Sequence, residues 1–130
     1  MLMNLILLKD TYSIYKFRDE QNLPDWICSS EFSSITRTSE EVSVVASQVD
    51  LISSGIISNR NWRILKIAGI LDFCLTGIIA RITAILAKEA IPVFIVSSYD
   101  TDYILVKQND LDNSIRSLSE NGYFISVNNE

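Results

Sequence analysis

Ile91-Pro92-Val93-Phe94-Ile95-Val96-Ser97-Ser98-Tyr99-Asp100-Thr101-Asp102-Tyr103-Ile104-Leu105-Val106-Lys107 is the stretch that decides the fold. Two apolar runs flank a short polar knot, Ser98 to Asp102. Runs of this length rich in Val, Ile, Phe and Tyr read as buried strands. The knot is short enough for a hairpin, and Asp and Ser favour tight turns. A turn alone does not need a Tyr, a Thr and two Asp together. That density of hydrogen-bonding groups at strand ends points to a site as well as a turn.

Upstream, Thr76 to Glu89 is the clearest helix. Ile78, Ile82, Ile85 and Leu86 fall at i, i+4, i+7 and i+8 and make one apolar stripe. Thr76 is an N-cap candidate, and Pro92 cannot continue the helix. Before it come a strand, Trp62 to Ile70, and a loop, Leu71 to Leu75. Downstream, Asp110 to Asn121 is a second helix, with Leu111, Ile115 and Leu118 on one face. Asp110 can cap it, and Gly122 can take the left-handed position after its end. Tyr123 to Val127 reads as a closing strand. The order β-α-β-β-α-β is that of a ferredoxin-like domain.

The N-terminal half is less regular. Met3 to Leu8 and Thr11 to Phe17 read as strands joined by a turn at Lys9-Asp10. Pro24 to Ile27 allows only a helical turn. Phe32 to Thr38 and Glu41 to Ser47 are short strands, and Gln48 to Ser53 is a helical turn ended by Gly55. Ser58-Asn59-Arg60-Asn61 is polar and reads as the boundary between halves. The sequence therefore predicts an α+β protein of two ferredoxin-like βαββαβ domains in tandem, 1–60 with degenerate helices and 61–130. Each half, at about 60 residues, is marginal alone, so their sheets or helices are expected to pair.

Composition excludes several function classes. The 130 residues carry 11 Lys and Arg against 16 Asp and Glu, for a net charge of −5. Arg60, Arg63 and Lys66 are the only local basic cluster. A protein that tracks phosphate backbones needs a basic face, so no nucleic acid partner is expected. There is no histidine. That removes the usual general base, the commonest zinc ligand and the usual partner of a nucleophilic Ser or Cys. Cys28 and Cys74 lack metal-type spacing and read as small buried hydrophobes in a reducing cytoplasm. Cys74, just before a helix start, is the one candidate thiol nucleophile or redox switch. The apolar opening lacks a basic n-region and a small-residue cleavage site, so it reads as a strand. Asp72 and Arg81 interrupt the apolar run from Ile67 to Ala84, and each costs about 3 kcal/mol at a bilayer centre. No membrane span is expected, nor any metal or other cofactor.

Phe73-Cys74-Leu75-Thr76-Gly77-Ile78, Ile91-Pro92-Val93-Phe94 and Ser98 to Val106 together resemble the small bacterial tandem ACT-domain proteins. These are related to the ACT pairs of aspartate kinases and of the cytosolic arginine sensors of animals. Phe32 to Thr38 and Glu41 to Val45 resemble the first domain of the same family. The Tyr-Asp-Thr-Asp knot is the most specific part of the resemblance, and Asp10 to Glu31 carries little of it. Cys74 departs from the pattern, which has Ser or another small residue there. The resemblance implies no enzyme but a regulatory, allosteric protein that binds a free amino acid or similar metabolite at an ACT–ACT interface. It implies binding by the loop after the first strand, the start of the first helix and neighbouring strand ends. Those are Asp72, Leu75, Thr76, Gly77 and Ile78, with Ser97, Ser98, Tyr99, Asp100, Thr101 and Asp102. A homodimer and a regulated protein partner are expected.

The chemistry of those residues suits a zwitterion. A helix start offers free N–H groups and the positive dipole end to a carboxylate, and Gly77 lets it approach the backbone. Asp72, Asp100 and Asp102 can meet an ammonium, and Ser97, Ser98 and Thr101 can donate or accept hydrogen bonds. The helix end supplies only about 0.3–2 kcal/mol, against about 8 kcal/mol for a micromolar site, so several groups must converge. Each residue also has a plainer reading. Thr76 can simply cap, Gly77 can only let helix and sheet pack, Asp72 can be an exposed loop carboxylate, and Asp100 and Asp102 can be turn residues. Tyr99 and Tyr103 can be strand-packing aromatics, and Trp26 and Trp62 core anchors. A structural or interaction module with this fold and no ligand is the alternative function.

Overall fold

The structure, a computed structural model, describes residues 3–18, 23–50, 55–69 and 77–127. The elements are β1 (Met3–Leu7), β2 (Tyr12–Phe17), β3 (Ser34–Arg37), β4 (Val42–Ser47), β5 (Ile57–Ile67), α1 (Ile78–Lys88), β6 (Val93–Ser97), β7 (Asp102–Lys107), α2 (Leu111–Glu120) and β8 (Tyr123–Val127). Short 3-10 turns lie at Asp25–Ser29 and Gln108–Asp110. The fold is mixed α+β. It divides into two compact units, Asp10–Trp62 and Met1–Lys9 with Arg63–Glu130.

In the C-terminal unit the predicted β-α-β-β-α-β order is present, from β5 to β8. The helix stripe explains why. Ile82 and Leu86 on α1 and Leu111 and Leu118 on α2 are buried in one cluster with Leu65, Ile67, Ile104 and Val106 of the sheet. One strand was not expected there. β1 lies between β5 and β8, antiparallel to the first (Leu5↔Ile67, Leu7↔Leu65) and parallel to the second (Met3↔Tyr123 to Leu7↔Val127). β7 pairs with β5 and β6 on the other side. The period-2 alternation of β1 points Leu5 and Leu7 into the helix-covered core, at 0% and 7% exposure. Each such leucine contributes about 1.5–3 kcal/mol. That burial is why residues 1–9 belong with the C-terminal unit rather than with the 1–60 half of the sequence reading. Lys9-Asp10 accordingly does not close a β1–β2 hairpin, because both strands pair with β5 instead.

α1 ends in a Schellman motif. Ile91 N–H donates to the Leu86 carbonyl at 3.1 Å and Ala90 N–H to that of Ala87 at 3.0 Å. Ala90 takes the left-handed position, φ 57°, that glycine usually fills. α2 closes with the expected Gly122 at φ 93°.

In the unit Asp10–Trp62 the strand order is β3-β4-β2, followed by the first part of β5, all antiparallel. Tyr15, Phe17, Ile27, Val42, Val44 and Ala46 form its core, and Trp26 lies edge-on to Tyr15 at 5.2 Å. The turn expected at Pro24 to Ile27 is the 3-10 turn one residue later. Gln48 to Asp50 is irregular, and the rest of the helical turn expected there, 51–54, lies outside the described residues. Ser58 to Asn61, expected at the boundary between halves, lies within β5, just before the division of the units at Trp62 and Arg63. Its register slips against β2, from Tyr12↔Trp62 to Ile14↔Asn59. Two residues, Arg60 and Asn61, therefore oppose Ser13, and Asn61 adopts φ 68°. Asn tolerates that region because its short polar side chain bonds locally. Here Asn61 Oδ1 accepts from Gln48 Nε2 at 3.0 Å, and Asn61 N–H donates to Gln48 Oε1 at 2.7 Å. Cys28 is exposed, not buried as its residue type suggested, because it lies on a surface 3-10 turn.

Candidate functional site

The polar knot is the β6–β7 turn. Ser97 and Asp102 are register partners, and Ser97 Oγ donates to Asp102 Oδ1 at 2.6 Å. Ser98 N–H donates to the Thr101 carbonyl at 2.8 Å, and Thr101 N–H donates to Ser98 Oγ at 3.3 Å. Thr101 is buried, 4% exposed, and its hydroxyl donates to the Ile67 carbonyl at 2.8 Å. That bond ties the turn to the last residue of β5. Tyr99 and Asp100 point outward, with Tyr99 82% exposed. Asp100 is the acidic group of the turn with no partner among the described residues, whereas Asp102 is held by Ser97.

The structure thus brings Ser97, Ser98, Thr101 and Asp102 into one cluster and anchors it where β5 ends. From there the chain runs through Ala68 and Gly69, with Gly69 at φ 85°, before the described residues resume at Gly77. Asp72, Leu75 and Thr76, with Cys74, lie outside the described residues. Gly77 rather than Thr76 occupies the N-cap of α1, in the left-handed conformation at φ 81°. A Cβ added there meets nothing within 4 Å among the described residues, and the positive φ is the constraint seen on this position. Ile78 packs against the core cluster as its helical phase requires.

Lys66, which the sequence did not place near the site, sits 6.0 Å from the Tyr103 ring centre, at the outer limit of a cation–π contact. Its signal was a cation one residue before the end of a strand, which is too common to single out. No group of three or more metal-ligating side chains is found among the described residues. No helix among them is long and apolar enough to cross a membrane.

Residues 57–120 match the family model of the ACT domain. A second family model, describing an N-terminal domain, matches residues 10–54. No curated protein matches the chain. Among solved structures, a protein of Agrobacterium tumefaciens is 29% identical over 100% of this chain and 96% of its own, with a TM-score of 0.88. A Vibrio cholerae protein of unknown function is 18% identical over 91% of this chain and 88% of its own, with a TM-score of 0.72. The C-terminal regulatory domain assigned to an aspartate kinase of Porphyromonas gingivalis is 18% identical over 91% and 95%, with a TM-score of 0.60. The last two likenesses concern the fold.

Proposed function

Because this chain is a small ACT-domain protein, we propose that it is a non-catalytic regulator that binds a free amino acid or similar small metabolite at an interface formed by ACT domains. In this reading the unit Asp10–Trp62 is a second, reduced ferredoxin-like domain, so that the two stand in tandem. The observation that carries the proposal is the left-handed Gly77 at the start of α1, within the ACT match and open among the described residues. The backbone there can receive a carboxylate, with Asp72, Leu75, Thr76 and Ile78 around it. Asp100, exposed and unpaired among the described residues, is the ammonium partner, with Ser97, Ser98, Tyr99, Thr101 and Asp102 completing the rim. The regulatory domain of an aspartate kinase, similar in fold, supports a regulatory rather than a catalytic role. Regulation acts on a partner protein or on the protein's own homodimer, in the cytoplasm.

A thermal-shift and calorimetric screen of the common amino acids tests this. One of them should stabilise saturably, by about 2.7 kcal/mol at a hundred times its Kd. Gly77→Val places a β-branched residue at positive φ, which costs about 1–2 kcal/mol, and should abolish that response. Unchanged folding and unchanged affinity in Gly77→Val would show the site to be elsewhere. A second reading is favoured by the bonds inside the β6–β7 turn, which engage Ser97, Ser98, Thr101 and Asp102 with one another and with the sheet. That reading is an interaction module without ligand, and a screen in which no amino acid raises the melting temperature would select it.

A further inference from the structure

Between α1 and α2, on the helix-covered side of the C-terminal unit, runs a groove of about 230 Å³. Its α1 wall carries Arg81, Ala84, Ile85 and Lys88. These fall at i, i+3, i+4 and i+7, so they form one stripe with a cation at each end and an apolar centre. The Cα atoms of Arg81 and Lys88 are two turns apart, about 10.5 Å along the axis. Neither has an ion pair or hydrogen bond among the described residues. The α2 wall carries Ser117, 5% exposed, whose buried hydroxyl oxygen has no hydrogen-bond partner among the described residues. A buried hydroxyl without a partner costs about 1–3 kcal/mol, so its place in the lining of a groove is informative.

The carboxylates of the groove do not answer the two cations. Arg116 takes both, Glu89 at 2.6 Å and Glu120 at 3.1 Å. Donating a hydrogen bond to Glu89 raises the Arg116 guanidinium above its ordinary pKa. The groove therefore keeps two unanswered positive charges, separated by Ala84 and Ile85.

We infer that this groove binds an elongated aliphatic dicarboxylate, one carboxylate on Arg81, the other on Lys88, the chain over Ala84 and Ile85, and a carboxylate oxygen accepting from Ser117. A monoanion leaves one cation unanswered, and a short dianion reaches both only if the two long side chains fold toward each other and give up rotamer freedom. The inference is independent of the amino-acid reading, since it uses neither Gly77 nor the β6–β7 turn.

Suberate is the probe, titrated into the 15N-labelled full chain, with octanoate and succinate as comparisons. Suberate should shift the amides of 81–89 and 117–121 saturably. Octanoate and succinate should bind at least about tenfold more weakly, as expected for the loss of one charge-assisted contact. Arg81→Gln and Lys88→Gln, both at exposed positions, should each weaken suberate and together remove the shifts while the rest of the spectrum stays in place. Ser117→Ala, checked for an unchanged fold by circular dichroism, should also weaken it. The inference is overturned if suberate gives no saturable shift at tens of millimolar, if octanoate or succinate binds as well, or if the double variant retains the affinity. Should Ser117→Ala disturb the fold, the two exposed charge variants decide the matter alone.

Discussion

Thr101 joins a turn to a sheet with a single hydroxyl, and its replacement isolates that contribution. Thr101→Val keeps the shape but leaves the carbonyl of fully buried Ile67 without its 2.8 Å donor. The expected loss is about 1–3 kcal/mol in urea unfolding, and a change below about 0.5 kcal/mol would mean the bond contributes nothing net. Ala90 carries the opposite opportunity. It sits at φ 57° in the Schellman position, so Ala90→Gly should relieve about 1 kcal/mol of left-handed strain, partly offset by glycine's greater freedom in the unfolded chain. A small rise in melting temperature is expected, and a fall would show the strain to be negligible. At this scale much was legible. The Ser, Thr and Asp of the knot are close together, as their density implied. That most would bond to one another and to the sheet was not legible, because the answering group is a backbone carbonyl on β5.

The elements show where local pattern is sufficient. The stripe from Ile78 to Leu86 specifies α1 because every signal is within two turns of itself. β1 is different. An apolar alternating run declares a strand but not its partner, and Lys9-Asp10 offered β2 as the near one. What decides is distant: Leu5 and Leu7 complete a core made by α1 and α2. The polar stretch Ser58 to Asn61 ends next to the division between the two units at Trp62 and Arg63, yet it is strand, since a bulged strand with exposed side chains has a loop's composition. The insertion of β1 makes a prediction. A fragment of residues 61–130 holds all six elements of the β-α-β-β-α-β order, yet lacks the strand between β5 and β8. It should unfold without a cooperative transition. Adding the peptide 1–9 in trans should restore near-native circular dichroism and a sharp transition. A fragment that melts cooperatively by itself would show that β1 is dispensable.

For the molecule as a whole, a homodimer is expected. Phe124 and Val127 on β8 are 59% and 58% exposed, and β8 pairs only with β1 among the described strands. An edge strand carrying exposed apolar side chains is a ready surface for another chain. Light scattering across a concentration series should give twice 14.7 kDa at high micromolar concentration, and Phe124→Lys should restore the monomer. A mass that stays near 14.7 kDa, with and without amino acids, would rule the dimer out.

The parallel pairing of β1 with β8 also has a temporal side. Met3 faces Tyr123, 120 positions later in the chain. During synthesis β1 leaves the ribosome long before β8 exists, and although β5 and α1 can receive its leucines earlier, its β8-facing edge stays unpaired until the end. The unit Asp10–Trp62 is complete well before that wait ends. Closing the C-terminal sheet requires pairing residues 120 positions apart, and such non-local pairing is slow. Refolding should therefore show a late phase that reports β1 docking. Nascent chains stalled before residue 123 should bind a trigger chaperone through Met3 to Leu8.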